Sequence, residues 1–270
     1  MLQFEQEVKK GERFEFGKNW QAFLSTMNED RIKQAEKSLC EMLEVNDLKN
    51  KHFLDIGSGS GLFSLAAYRL GASVYSFDYD PKSVACTLEI RKRYASNDPN
   101  WVIEEGSALD EKFLSSLGKF DIVYSWGVLH HTGKMWQALE NVGKLVEQNG
   151  ILFIAIYNSF GWISKFWQKV KKIYCSGFLG RVLVKSIFVP YYLFKACAES
   201  VAKKTNIFSN YKKNRGMSIC YDCIDWLGGY PYEFAKVEEI FHFYRNKGFN
   251  LINIKTTRST ANNQFVFKKI

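Results

Sequence analysis

Proline and histidine are scarce in this chain, with four of each in 270 residues, and its six cysteines form no regular array. Cysteines scattered at positions 40, 86, 175, 197, 220 and 223 exclude a small disulfide scaffold and agree with a reducing compartment. Cys220-Tyr-Asp-Cys223 lacks the second pair or neighbouring histidines that zinc needs, so free thiols and no metal site are expected. Nor is there a stretch of ~20 uninterrupted apolar residues to span a membrane. The most apolar candidate, residues 177–204, is broken by Arg181, Lys185 and Lys195. The first residues, MLQFEQEVKKGERFEF, lack the apolar region of a secretory signal, which makes the cytoplasm the expected location. Apolar and aromatic side chains are plentiful, at 46% and 16% of residues, which excludes a disordered chain and suffices for a sizeable core.

Acidic residues are also nearly missing from one segment. Residues 161–215 carry twelve Lys or Arg against Glu199 alone, so the net charge of +9 resides there and the rest of the chain is near −2. Any anionic partner is expected at that segment. From residue 51 onward, short β-branched or aromatic runs alternate with amphipathic stretches. They place strands near 51–56, 73–77, 101–105, 120–125 and 150–156, and helices near 61–70, 81–93 and 133–147. That alternation predicts an α/β fold with a doubly wound, mostly parallel sheet and helices on both faces. Ile32, Ala35, Leu39, Met42 and Leu43 recur at helical spacing over 28–46, behind Asn28 as a cap. The pattern breaks after the fifth strand and resumes with a helix near 234–247 and strands at 249–256 and 263–268. The expected organisation is an N-terminal helical cap over 1–49 and a main domain over 50–270, with 161–215 as a basic helical insertion.

The first strand runs into FLDIGSGSGLF, a glycine turn of the kind that wraps nucleotides. A dinucleotide fingerprint, GxGxxG, would require glycine at position 62, which is Leu. Asp55, two residues before Gly57, would repel a diphosphate and attract an ammonium group. Asp78 closes the second strand, where an acidic side chain takes ribose hydroxyls. The site therefore calls for a ribose and a cationic tail without a diphosphate, a description that S-adenosyl-L-methionine fits.

On these residues the chain resembles class I S-adenosylmethionine-dependent methyltransferases over most of 50–157. Asp55-Ile-Gly57-Ser58-Gly59-Ser-Gly61 matches the family's first motif, Asp78 its ribose-binding acid, and Gly106-Ser107-Ala108-Leu-Asp110 the loop that contacts adenine. Ser107 departs from the aspartate usual there. Residues 120–125 and 149–154 match the fourth and fifth strands. A bacterial small-molecule branch looks more similar still, through Phe16-Gly-Lys-Asn19-Trp20, SWGVLHHTGKMW over 125–136, and Asp225-Trp226-Leu-Gly-Gly-Tyr230-Pro-Tyr232-Glu233. The resemblance implies a Rossmann-like seven-stranded sheet with an antiparallel last strand and S-adenosylmethionine as methyl donor. It also implies a cofactor site of Trp20, Asp55, Gly57, Ser58, Gly59, Gly61, Asp78, Tyr79, Ser107, Ala108, Ser125 and Trp126.

Methyl transfer from a sulfonium needs no metal, but it does need an aligned acceptor and a base for the departing proton. His130 and His131, two of the four histidines, follow the fourth strand and are the candidate bases, with His130 slightly favoured. Tyr157, Asn158, Asp225, Trp226 and Tyr230 are the candidate acceptor-binding residues. The expected acceptor is a small molecule, anionic or sugar-like, with an oxygen methylated in surface-polysaccharide biosynthesis. The alternative is O-methylation of a phenolic or quinone-type lipid at the membrane surface. Three readings of the basic insertion stay open: a solvated flank, a lid over an anionic acceptor, or a peripheral contact with an anionic membrane surface. Nucleic acid is disfavoured as a partner, because Ser125-Trp-Gly-Val128 replaces the Asn/Asp-Pro-Pro-aromatic motif of base amino-group methylases. A non-enzymatic scaffold is disfavoured because Asp55, the three glycines and Asp78 occur together.

Overall fold

The computed structural model describes residues 2–202 and 219–270. Seven strands form one sheet: β1 (His52–Ile56), β2 (Ser73–Asp78), β3 (Trp101–Glu105), β4 (Phe120–Trp126), β5 (Val146–Tyr157), β6 (Phe249–Lys255) and β7 (Asn262–Lys269). Their order is β3-β2-β1-β4-β5-β7-β6. The first five are mutually parallel, and β7 runs antiparallel to both β5 and β6. The expected sheet, including its antiparallel last strand, is present.

Alternation along the strands divides the core between the two faces. Leu54, Ile56, Val123, Leu152 and Ile154 turn to one side, against α7 (Met135–Lys144) and α11 (Val237–Arg245). Phe53, Val74, Tyr124, Phe153 and Val266 turn to the other, against α3 (Glu29–Leu43), α4 (Leu62–Arg69) and α5 (Pro81–Tyr94). Burial on both faces explains why β1 and β4 read as nearly continuous apolar runs. Asn28 caps α3 by accepting from the Arg31 N–H, so the polar residue before the periodic run does mark the helix start.

Two boundaries differ from the sequence reading. β5 starts at Val146, because a register shift opposite β4 lets Phe120 pair with Val146 before regular pairing resumes at Ile151, with Asn149 at φ 65°. α7 consequently ends at Lys144. α6 (Glu111–Ser116) went unread because six residues are too few to show a period; Asp110 caps it by accepting from the Lys112 and Phe113 N–H groups.

The N-terminal segment forms α1 (Leu2–Lys9) and α2 (Gly17–Leu24), and residues after β5 form α8 (Trp162–Cys175), α9 (Phe178–Ala202) and α10 (Ile219–Gly228). Val170, Tyr174, Val184, Cys223 and Leu227 make a third apolar cluster among these last helices, with Phe14 packed against it. The insertion is thereby anchored to the N-terminal segment through residues 161–202; its remainder, 203–215, lies outside the described residues. Lys171, one of its twelve basic residues, is fully buried and not part of its charged surface.

Candidate functional site

A cavity of about 1160 Å³ opens at the carboxyl ends of the strands, where the order reverses between β1 and β4. This is the place where open α/β sheets bind ligands. Its floor is the glycine turn. Gly57 and Ser58 both donate to the Phe77 carbonyl of β2, at 2.8 and 3.2 Å, and Gly59 donates to Asp78 Oδ2 at 2.9 Å. These three N–H groups are therefore tied to β2 and offer no cradle for a diphosphate. Gly57 and Gly61 adopt φ of 76° and 79°, and a Cβ at Gly61 would meet Thr87 Cα at 2.9 Å. Gly61 does not line the cavity; it is the left-handed N-cap that starts α4. Gly61→Ala is expected to destabilise the fold by about 1–3 kcal/mol, measurable in a urea titration.

Two carboxylates rise from this floor. Asp55 is buried, and Ser64 Oγ donates to its Oδ2 at 2.5 Å. Behind it, Trp101 Nε1 donates to Ser76 Oγ and Ser76 Oγ to Ser64 Oγ, at 2.9 and 2.8 Å, so a buried relay holds Asp55 in place. Asp78 accepts from Gly59 N and, through Oδ1, from Asp80 N. Desolvation raises both carboxyls to about 7, with the nearby charge of Asp78 adding to the shift at Asp55. Acids raised this way favour a cation that restores their ionised form.

The N-terminal segment closes over these acids. Asp80 caps α5 and accepts from Gly17 N at 2.7 Å, which fixes the start of α2. Trp20 then lies over Gly59, whose added Cβ would come within 3.1 Å of the indole. Arg13 stacks on Tyr79 at 4.8 Å and donates to the His131 carbonyl at 2.9 Å, bridging the two halves of the cavity. Ser107, Ala108 and Leu109 line the side beyond β3, where Ser107 Oγ accepts from Leu109 N.

The far half is aromatic: Phe16, Trp126, Tyr157, Trp167, Tyr192 and Trp226 contribute to its walls. Lys171 donates to the Trp226 carbonyl and sits 4.0 Å over the Trp226 ring, which fixes that indole. His131 lines the cavity, and its Nδ1 lies 2.6 Å from the Pro231 carbonyl, which can only accept. The proton is thus on Nδ1, and Nε2 keeps its lone pair. Burial lowers the His131 pKa to about 3, so the ring is neutral.

Several expected site residues lie elsewhere. His130 is fully buried behind the wall, 4.0 Å from the Tyr157 ring, and accepts from Tyr157 N through Nδ1. Of the two candidate bases, His131 lines the cavity and His130 does not. Ser125 points away from the cavity and donates to the Ile56 carbonyl across the sheet. Asn158 holds the β6–β7 loop, donating to the Ser259 carbonyl at 2.9 Å, and Tyr230 contributes its carbonyl to Phe14 N. The Asp225 side chain, and that of Cys220, lie outside the described residues. Missed altogether were Arg13, Phe14 and the loop of Ser259 to Asn262, which line the cavity. The aromatic run at 14–16 was the only available signal for the first two. Asn262 Oδ1 is buried in that wall without a partner among the described residues.

Residues 54–152 match the methyltransferase domain family. The methyltransferase-domain match begins in β1 and ends within β5, so it takes in the glycine turn, Asp78 and both histidines. The ubiquinone biosynthesis O-methyltransferase of Pelagibacter ubique is 30% identical over 139 residues, 50% of this chain and 55% of that protein. The mitochondrial protein of that name from Schizosaccharomyces pombe is 34% identical over 120 residues, 42% and 40% of the two chains. The chain thus spans about half the length of the curated relatives it matches. Magnesium protoporphyrin IX methyltransferase from Synechocystis PCC 6803, solved with bound S-adenosylhomocysteine, superposes with a TM-score of 0.54 at 14% identity, covering 88% of this chain and 83% of that one. That likeness establishes the shared fold.

Proposed function

We propose that the chain is an S-adenosylmethionine-dependent methyltransferase whose acceptor is a small hydroxylated aromatic molecule with an apolar tail. The observation that carries the cofactor reading is the pairing of Asp55 and Asp78 over a glycine turn whose first N–H groups are tied to β2. Such a floor favours a cation and ribose hydroxyls over a diphosphate. When bound there, S-adenosylmethionine supplies a methyl group already activated on a sulfonium. Asp78 would hold the ribose hydroxyls, Asp55 would favour the cationic tail, and Ser107 to Leu109 would border the adenine.

The aromatic half supports a phenolic or quinone-type acceptor better than a sugar. Rings at Phe16, Tyr157 and Trp226 stack on a planar acceptor, whereas polyhydroxylated rings need convergent donors and acceptors. The ubiquinone relatives point the same way. His131 Nε2 would accept the acceptor O–H. As the methyl arrives that proton becomes strongly acidic, so a neutral imidazole of low basicity suffices to receive it. The deciding assay is S-adenosylhomocysteine release with catechol-type phenols carrying prenyl or alkyl tails. Turnover on these and not on nucleotide-linked sugars is expected; the reverse order would replace the acceptor class. A melting shift with NAD and none with S-adenosylhomocysteine would overturn the cofactor.

A further inference from the structure

The mechanism leaves the outer surface of α8 and α9 unused, and this surface is unusually apolar. Leu179, Leu183, Ile187, Tyr191 and Phe194 follow one another at spacings of four and three, forming one stripe along α9. They are 80%, 54%, 56%, 57% and 76% exposed. Trp162, Phe166 and Ile173 form a second exposed row on α8. Single exposed apolar side chains are ordinary, but a contiguous patch of this kind marks an interaction site. Exposed Lys165, Lys169 and Lys172 lie beside the row on α8, and α9 adds exposed Arg181 and Lys195. The only acid on either helix is Glu199.

We propose that this face docks on the anionic surface of a lipid bilayer, with the two helices lying in the interface. Charge and shape both select that occupant. Apolar rows with a line of lysines beside them match acyl chains below and anionic headgroups at the surface. No described helix is long and apolar enough to cross the membrane, so the contact is peripheral. The same two helices wall the cavity with their other faces, through Trp167 of α8 and Tyr192, Lys195 and Ala196 of α9. Docking itself stands apart from the methyl-transfer reading, since it needs neither cofactor nor acceptor.

The test is sedimentation of the full chain, without cofactor, with vesicles of phosphatidylcholine alone or mixed with phosphatidylglycerol. Binding to the mixed vesicles only is expected. L183E/I187E should abolish it, and K165Q/K169Q should weaken it roughly tenfold or more. Both variants change exposed side chains and should keep the parent melting temperature. Size-exclusion chromatography of parent and L183E/I187E distinguishes a second copy of the chain as the occupant. Three outcomes would overturn the proposal: no binding to anionic vesicles, binding unaffected by L183E/I187E, or a dimer that the variant dissolves. Loss of turnover with vesicle binding intact would instead count against the methyltransferase reading alone.

Discussion

Asp78→Ala is expected to weaken S-adenosylmethionine binding by at least about a hundredfold, as two charge-assisted hydrogen bonds of about 1.5–3 kcal/mol each are lost. Part of that loss is indirect, because Gly59 N and Asp80 N lose their acceptor and the floor loosens. Asp78→Asn, which keeps an oxygen acceptor, should fall between the parent and the alanine variant. Titration calorimetry decides it: an unchanged Kd for Asp78→Ala would place the ribose elsewhere. The same carboxylates set a pH dependence. Both Asp55 and Asp78 are raised to about 7 by burial, so in the unliganded protein they hold protons below that pH. A cationic ligand binds their ionised forms, so affinity rises with pH up to about 7 and then levels, and binding below 7 releases protons. Folding carries the opposite sign. A carboxyl with a raised folded pKa stabilises the fold below its unfolded value near 3.9, and that stability is lost as pH rises to 7. The ligand-induced rise in Tm should accordingly be largest above 7, and a rise that shrinks between pH 6 and 8 would contradict the assignment.

With His131 as the proposed base, His131→Ala is expected to lower turnover by roughly 10²–10⁴ while leaving cofactor affinity within about twofold. Its Nδ1 is committed to the Pro231 carbonyl, so only Nε2 is left to take a proton. With a pKa lowered to about 3 the ring stays neutral, and kcat should be flat through the neutral range. Any pH dependence then resides in cofactor binding. His130→Ala should behave differently. Its ring is fully buried against Tyr157, so truncation leaves a void and lowers Tm, by the cost of a few kcal/mol typical of core truncation. If His130→Ala removed turnover with an unchanged Tm and His131→Ala did not, the two roles would be exchanged. Single-turnover S-adenosylhomocysteine release, read beside melting curves, separates these outcomes.

Some of the site was legible from local chemistry alone. Gly57 and Gly61 need positive φ, and an acid at the end of β1 or β2 faces the carboxyl edge of the sheet wherever the helices lie. Those constraints act over a few residues, so spacing reveals them. The sequence reading puts Ser125 and Trp126 at one site, but adjacent side chains on β4 leave the sheet on opposite faces. Trp126 lines the cavity, while Ser125 crosses to Ile56.

By itself the sequence determined the strand and helix alternation, the glycine turn with its two acids, and the confinement of positive charge to one segment. Tertiary structure decided which of two neighbouring histidines reaches the cavity, and that Lys171 lies inside while the apolar stripe of α9 lies outside. It also brought Arg13, Phe14 and Asn262 to the site from opposite ends of the chain. The reason is physical. Local conformation follows from the sterics and hydrogen bonding of near neighbours, whereas a side chain's exposure depends on what distant segments leave uncovered.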